Sequence, residues 1–245
     1  MITAANVLFN EQLETLKLTV DSFLKTPLEK KLYLVDNSPV NDLEAHFKHS
    51  EIAYIFVGNN IGFGAAHNLV IDAIKDSSRF HLILNPDICF NAAILQNLFN
   101  ELEKKSNVAM ISPSVVYPNG DEQVICRKNP SLKALIGRRL GIFKKYLASR
   151  QYQDVSAPFY PDFMHGCFML FKTDDFVNIR GFDERFFLYM EDADICRQLK
   201  MSGKEILYYP KEQITHVHRR GSSKNIKLFY FHLVSAIRYF RKCRK

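Results

Sequence analysis

Three acids, Glu191, Asp192 and Asp194, crowd the stretch RFFLYMEDADICRQL between a run of aromatics and the start of a helical pattern. Helix starts favour acids because the backbone dipole presents its positive end there, and that accounts for Asp194. It does not account for a Glu191–Asp192 pair set against apolar neighbours, which raise a carboxyl pKa and suit it to accept a proton. Other stretches hold further chemistry. LNPD ends an apolar run with Asp87, with no basic residue beside it; it either ligates a hard cation on a diphosphate or caps the next helix. VDNS places Asp36 and Asn37 at a strand end, as ligand contacts or as turn residues bonding their own backbone. GNNIGFGAAHN, with Asn60, Gly62, Gly64 and Asn68, precedes a helix whose first amides suit a phosphate. HVHRRGSS sets His216 and His218 on one side of an extended chain with Arg219 and Arg220 beside them. That suits a metal and a diphosphate, or a solvated basic surface.

The elements that must position these residues alternate over the first 110 residues. Short apolar runs (ITAANVLFN, KLYLVDNS, AYIFVGNN, FHLILNPD) read as strands. Between them EQLETLKLTVDSFLK repeats Leu13, Leu16, Val20, Phe23 and Leu24 at helical spacing, and AAHNLVIDAIKDS reads as one helix. This is the pattern of an α/β fold with a Rossmann-like, mainly parallel central sheet flanked by helices, whose ligands bind beyond the carboxyl ends of the strands. Asp36 and Asp87 both fall there. Gly62-x-Gly64 is followed by His67 where a dinucleotide fingerprint wants glycine or alanine. Further on, VAMISPSVVYPNGDEQ reads as a strand with a turn at Asn119-Gly120, and residues 127–158 as basic loop with short helix. FMHGCFMLFKT and EILYYP read as strands, DDFVNIRGF as a short helix closed by Gly181, and MEDADICRQLKMSGK as a helix ending at Gly203.

The 245 residues carry a net charge of +7 and are 47% hydrophobic, enough for a sizeable core and a preference for anionic partners. The five cysteines lie far apart and form no CxxC pair, so neither a zinc site nor a disulfide framework is indicated and a reduced cytoplasmic setting fits. No stretch approaches the roughly 18 apolar residues of a membrane span, so a soluble or peripheral protein is expected. No nucleic-acid motif is present. Residues 224–245 read as a basic helix with Phe229, Leu233, Ala236, Ile237 and Phe240 on one stripe. Its cations include Lys224, Lys227, Arg238, Arg241, Lys242, Arg244 and Lys245, suited to the anionic inner face of a plasma membrane.

Taken in order, VDNS, the glycine loop, NPD, GCFML, GFDERFF, MEDADICR and HVHRRGS resemble a glycosyltransferase of family 2 with the GT-A fold. The resemblance is to the rhamnosyltransferase-like members of bacterial O-antigen and capsular polysaccharide assembly, and it covers residues 2–240. It implies a single domain: a nucleotide-sugar half over 1–120, an acceptor and catalytic half over 121–223, and the basic helix. It implies that Asp36, Asn37 and the 59–68 loop hold the donor nucleotide. Asp87, the last acid of a DxD-like motif reduced here to Asn85-Pro86-Asp87, and His216, with His218 in reserve, would hold Mg²⁺ or Mn²⁺. Asp192 would be the catalytic base and Glu191 its support. The implied reaction is inverting transfer of a sugar from dTDP-rhamnose, or a UDP-sugar, to a polyprenyl-diphosphate-linked oligosaccharide. Two other classes stay open: an NAD-dependent oxidoreductase, which leaves the ED and HVHRRGS segments without a role, and a non-catalytic sugar- or nucleotide-binding protein.

Overall fold

The computed structural model describes residues 1–152, 155–217 and 226–243, with the backbone alone of Arg138 and Arg139. His218, Arg219 and Arg220 therefore lie outside the described residues. β1 (Ile2–Leu8) leads through α1 (Leu13–Leu24) to β2 (Lys30–Asp36) and β3 (Ile52–Phe56). Helix α1 buries Leu16, Thr19, Val20 and Phe23, the face that 3.6-residue periodicity lays on a sheet. The expected helix over AAHNLVIDAIKDS is instead two, α2 (Phe63–Asn68) and α3 (Ile71–Ile74). Between them Val70 caps α3 at φ −93° and ψ −3°, off the ideal α-helical values. At this break the Asn68 side chain is held by the backbone of Phe182, a distant bond that periodicity does not register.

Next come β4 (Phe80–Leu84), β5 (Ile88–Cys89), α4 (Ala92–Glu103) and β6 (Val108–Val116). The cap of α4 is Asn91, whose side chain accepts from the Ala93 amide, so Asp87 is not needed for capping. The chain continues through β7 (Cys126–Arg127), α5 (Leu132–Leu140), α6 (Lys144–Ser149), β8 (Phe163–Met164) and β9 (Phe168–Lys172). It ends with α7 (Thr173–Asn178), α8 (Glu191–Met201), β10 (Glu205–His216) and α9 (Ile226–Cys243).

One eight-stranded sheet, ordered β3-β2-β1-β4-β9-β6-β10-β5, organises these elements. The first four strands are parallel, β9 runs against both neighbours, and β5 closes the edge against β10. From β1 the chain winds outward to β2 and β3, then returns to β4 on the other side. A crevice opens at such a reversal, beyond the carboxyl ends of the strands.

Two expected strands are redrawn. FMHGCFMLFKT divides into β8, paired with β7 in a separate two-stranded sheet, and β9 in the main sheet. The interruption includes Gly166, where an added Cβ would stand 3.6 Å from that of Asp192. EILYYP grows into the twelve-residue β10, because an irregularity between Tyr209 and Gln213 takes up Pro210 and lets pairing with β6 resume. Sheet order thereby extends to His216.

The C-terminal helix is rotated from its expected face. Its buried residues are Ser235, Ala236 and Tyr239, while Leu233 and Ile237 of the expected stripe are exposed. Phe231 packs on Phe187, and Ser235 Oγ donates to the Leu188 carbonyl. Lys242 points inward, 2.7 Å from both Asp183 and Asp194. A cation facing two buried or half-buried carboxylates fixes the rotation more firmly than the apolar pattern does. Among the described residues no helix is long and apolar enough to cross a membrane.

Candidate active site

Three backbone anchors hold the NPD turn at the crevice. Thr19 of α1 donates its hydroxyl to the Pro86 carbonyl, the Asn85 amide donates to Cys167, and the Val217 amide donates to Asp87. The pairing of β10 with β5 sets His216 opposite Ile88, and the His216 Nε2 atom stands 3.1 Å from Asp87 Oδ1. Gln123 grips the imidazole from behind. Its carbonyl oxygen accepts from Nδ1 at 3.0 Å and its amide donates to the His216 carbonyl at 2.9 Å, which fixes Nε2 as the atom facing Asp87. Burial works against charge on His216, but hydrogen bonds to Asp87 and Cys167 outweigh it and push the pKa up to about 10. The aspartate and imidazole thus form an ion pair. Once a cation displaces the Nε2 proton, their separation also fits two adjacent ligands on one octahedral ion, since bonds of about 2.1 Å at right angles span about 3 Å. Among the described residues no group of three or more such ligands occurs, so a cation here would take its remaining ligands from phosphate and water.

The glycine loop is built differently from the expected phosphate cradle. Asn60 Oδ1 accepts from the Gly62 amide, Asn37 Nδ2 donates to the Gly62 carbonyl, and the Phe63 amide donates to Phe187. These groups lock the loop onto Asn37 and Phe187, leaving the Gly62 and Phe63 amides already bonded. Gly62 has φ +96°, and a Cβ there would meet the Phe187 carbonyl at 2.6 Å. Gly64 packs against the Phe182 side chain, where an added Cβ would come within 2.7 Å of its Cβ, and Asn68 spends its amide on both Phe182 backbone groups. Asp36 is fully buried and accepts from Tyr54 and from the Ser38 amide. Burial, reinforced by Asp36, raises the Tyr54 pKa far above its usual range. Of these candidates, Asn37 and Asn60 line the crevice; Asp36, Gly62, Gly64 and Asn68 are not among its lining residues.

Glu191 and Asp192 open α8, directly after Tyr189 and Met190, which both adopt φ +69°. Two consecutive left-handed residues that are not glycine cost roughly 1 kcal/mol or more each and cluster where function requires them. Glu191 is buried and its Oε2 atom has no hydrogen-bond partner. Desolvation, then repulsion from Asp192, pushes its pKa up to about 8. Asp192 retains partial exposure. Burial also raises it, but backbone amides, with Ala193 donating to Oδ1 at 2.8 Å, hold it to about 6. Both carboxyls are thus raised and titrate as a pair, which favours their holding one proton between them near neutral pH.

Two adjoining cavities lie beside this turn; Glu191 lines the second, and Asp192 is among the lining residues of neither. One, of about 390 Å³, is lined by Asn37, Asn60 and Asp87 with the β1–α1 loop. The other, of about 370 Å³, is lined by Glu191, Arg127, His165 and Tyr117. Phe63, Asn85, Leu188 and His216 form the wall common to both.

Residues 152–220 match the family model described as the N-terminal domain of galactosyltransferase. The chain is 30% identical over 198 residues to the rhamnosyltransferase WbbL of Escherichia coli K12, covering 76% of this chain and 73% of that one. The chain belongs to the rhamnosyltransferase-like glycosyltransferases. It is also 23% identical to the N-acetylglucosaminyl-diphospho-decaprenol L-rhamnosyltransferase of Mycobacterium tuberculosis H37Rv, over 72% of this chain and 62% of the relative. The crystal structure of GalNAc-T7 with UDP, GalNAc and Mn²⁺ superposes with a TM-score of 0.67 at 14% identity. It covers 89% of this chain and 43% of that one, and the fold shared is GT-A.

For a rhamnosyltransferase-like chain, several wall residues escaped sequence reasoning. Phe9, Asn10, Glu11 and Thr15 line the first cavity because β1 sits at the sheet's reversal point. The clue was topological rather than local. Gln123, which orients His216, lies 93 positions away from it and has no motif of its own.

Proposed function

We propose that this rhamnosyltransferase-like enzyme moves a sugar, rhamnose from dTDP-rhamnose, to a hydroxyl of a growing lipid-linked cell-surface oligosaccharide, inverting the anomeric centre. The observation behind this reading is the pair of cavities sharing the His216 wall, with Asp87 in one and Glu191 in the other. A donor whose diphosphate lies at Asp87 and His216 would present its anomeric carbon across the common wall to an acceptor beside α8. The mycobacterial relative acts on a diphospho-decaprenol acceptor by its name, which supports a polyprenyl-diphosphate-linked acceptor here.

A sugar hydroxyl is a weak nucleophile and needs a base as it attacks. Asp192, ionised near neutrality, accepts that proton; Glu191 keeps its own and donates to, rather than repels, the incoming oxygen. Asn37 and Asn60 border the nucleotide, and Asp36 holds that wall in shape through Tyr54 and Ser38. Asp87 and His216 would hold Mg²⁺ or Mn²⁺, a pairing supported by their 3.1 Å separation and by the Mn²⁺ in the GalNAc-T7 crystals. When bound, the cation offsets charge developing on the departing diphosphate. Attack from the face opposite that leaving group inverts the carbon. Arg219 and Arg220 are further diphosphate contacts in this reading. The outward stripe of α9, Ile226, Tyr230, Leu233 and Ile237, with exposed Arg241 beside it, would rest on an anionic membrane on its cytoplasmic side.

Thermal-shift titration with dTDP-rhamnose, UDP-sugars and NAD, each with and without Mn²⁺, tests the donor. Mass action at a hundredfold excess over Kd stabilises by about 2.7 kcal/mol. Stabilisation by dTDP-rhamnose that needs Mn²⁺, followed by transfer to a lipid-linked acceptor, is the expected result. A shift with NAD alone would overturn the proposal.

A further inference from the structure

α5 and α6 form a hairpin whose outer face is apolar and uncovered among the described residues. Leu132, Ile136 and Leu140 recur every fourth position on one stripe of α5 and are 52%, 50% and 65% exposed. Ile142 and Phe143 extend the stripe around the tip. Burying such side chains in water-free surroundings is favourable, and a contiguous exposed patch of them marks a docking surface. The hairpin is held ready rather than loose. Gly141 (φ +67°) and Phe143 (φ +58°) make the turn, Ser131 Oγ and Tyr146 OH lie 2.9 Å apart, and Lys133 Nζ sits 4.7 Å from the Tyr146 ring centre.

Charge selects the occupant. Residues 123–153 contain eight lysines and arginines and no aspartate or glutamate, a composition shared only with the acid-free stretch 213–245. Aliphatic side chains flanked by cations and free of acids match the boundary between anionic headgroups and acyl chains. A nucleic-acid groove would offer planar and polar groups at the positions occupied here by leucine and isoleucine. We propose that the α5–α6 hairpin inserts its Leu140–Ile142–Phe143 tip into an anionic lipid surface, with its lysines at the headgroups. The stem supports a role at the site. β7 ends at Arg127, which lines the cavity beside Glu191, and Asn129 and Pro130 border a cavity with Tyr239 and Phe240 of α9. Insertion of the tip would hold the acceptor cavity near the plane in which a lipid-linked acceptor lies. The inference deepens the proposed acceptor class. Vesicle binding is measured without donor or acceptor, so its failure leaves the transfer reading standing.

The test is co-sedimentation of the full chain with vesicles of phosphatidylcholine and phosphatidylglycerol in equal parts, against phosphatidylcholine alone. The apolar variant combines Ile136→Ser, Leu140→Ser and Phe143→Asn, asparagine being tolerant of positive φ. The charge variant combines Lys133→Gln, Lys144→Gln and Lys145→Gln. Wild type is expected on the anionic vesicles only. The charge variant should partition about a hundredfold more weakly, at about fivefold per lysine, and the apolar variant at least about tenfold more weakly. Circular dichroism checks folding, and Leu140→Ser alone replaces the triple change if that variant unfolds. Equal partitioning of wild type and variants would overturn the proposal. So would equal binding to both compositions, or binding to neither, in which case an acidic protein is the occupant to seek.

Discussion

Glu191→Gln should make the protein more stable relative to wild type as pH rises. Glu191 is raised in the folded chain from its ordinary 4.5 to about 8. Over that window the native state keeps a proton that the unfolded chain has released, so wild type loses stability as pH climbs. Glutamine does not titrate and escapes the loss. At about 1.36 kcal/mol per pH unit of displacement, a full shift corresponds to about 5 kcal/mol, of which about 4 falls between pH 5 and pH 8.5. Titration shared with Asp192 divides this over the pair, so the single change should gain about 1 to 4 kcal/mol between those two pH values. The new amide meets the same unpartnered surroundings as Oε2 and costs about 1 to 3 kcal/mol, but equally at both pH values, so it cancels in the difference. Urea unfolding followed by circular dichroism at the two pH values measures it. A difference between variant and wild type that is the same at both, or that worsens with pH, would refute the shared-proton account. Activity should agree: Glu191→Gln preserves the working protonation state and should impair transfer less than Asp192→Asn.

Asp192→Asn is expected to fold, to bind donor, and to transfer sugar about a hundredfold or more slowly, the scale of a lost general base; near-normal turnover would move that role to Glu191. Chelation with EDTA should abolish transfer and Mn²⁺ or Mg²⁺ restore it, with His216→Ala raising the metal concentration needed; activity that survives chelation would leave arginines to neutralise the leaving group. Gly62→Ala, forcing a Cβ against the Phe187 carbonyl at positive φ, should destabilise by about 2 kcal/mol or more and weaken donor binding, read by thermal melting and titration.

Strand and helix alternation through β4 was legible because it is written in local periods: Leu16, Val20 and Phe23 lie on one face whatever α1 packs against. Asp87 was legible for a related reason, since it follows a short apolar strand; His216 stood out only as a histidine of HVHRRGSS, because β10 reaches it past an irregularity. What stayed hidden depends on a partner far along the chain. The break after Asn68 depends on Phe182, the rotation of α9 on Asp183 and Asp194, and the facing atom of His216 on Gln123. The glycine loop misled because amides before a helix look alike whether they await a phosphate or are already bonded. Only the Asn60 and Phe187 contacts tell the two apart.

The same reasoning explains why the two acids of α8 are not interchangeable despite adjacent positions. The left-handed backbone at Tyr189 and Met190 fixes where α8 begins, and successive helical residues point about 100° apart. One carboxyl is thereby buried with its Oε2 atom unpartnered, while the next keeps part of its surface open and gains the Ala193 amide. Two identical chemical groups acquire different proton affinities from one turn of backbone. In the proposed reaction the strain at residues 189 and 190 therefore has a role: relaxing it would swing both acids, and with them the proposed base and proton holder.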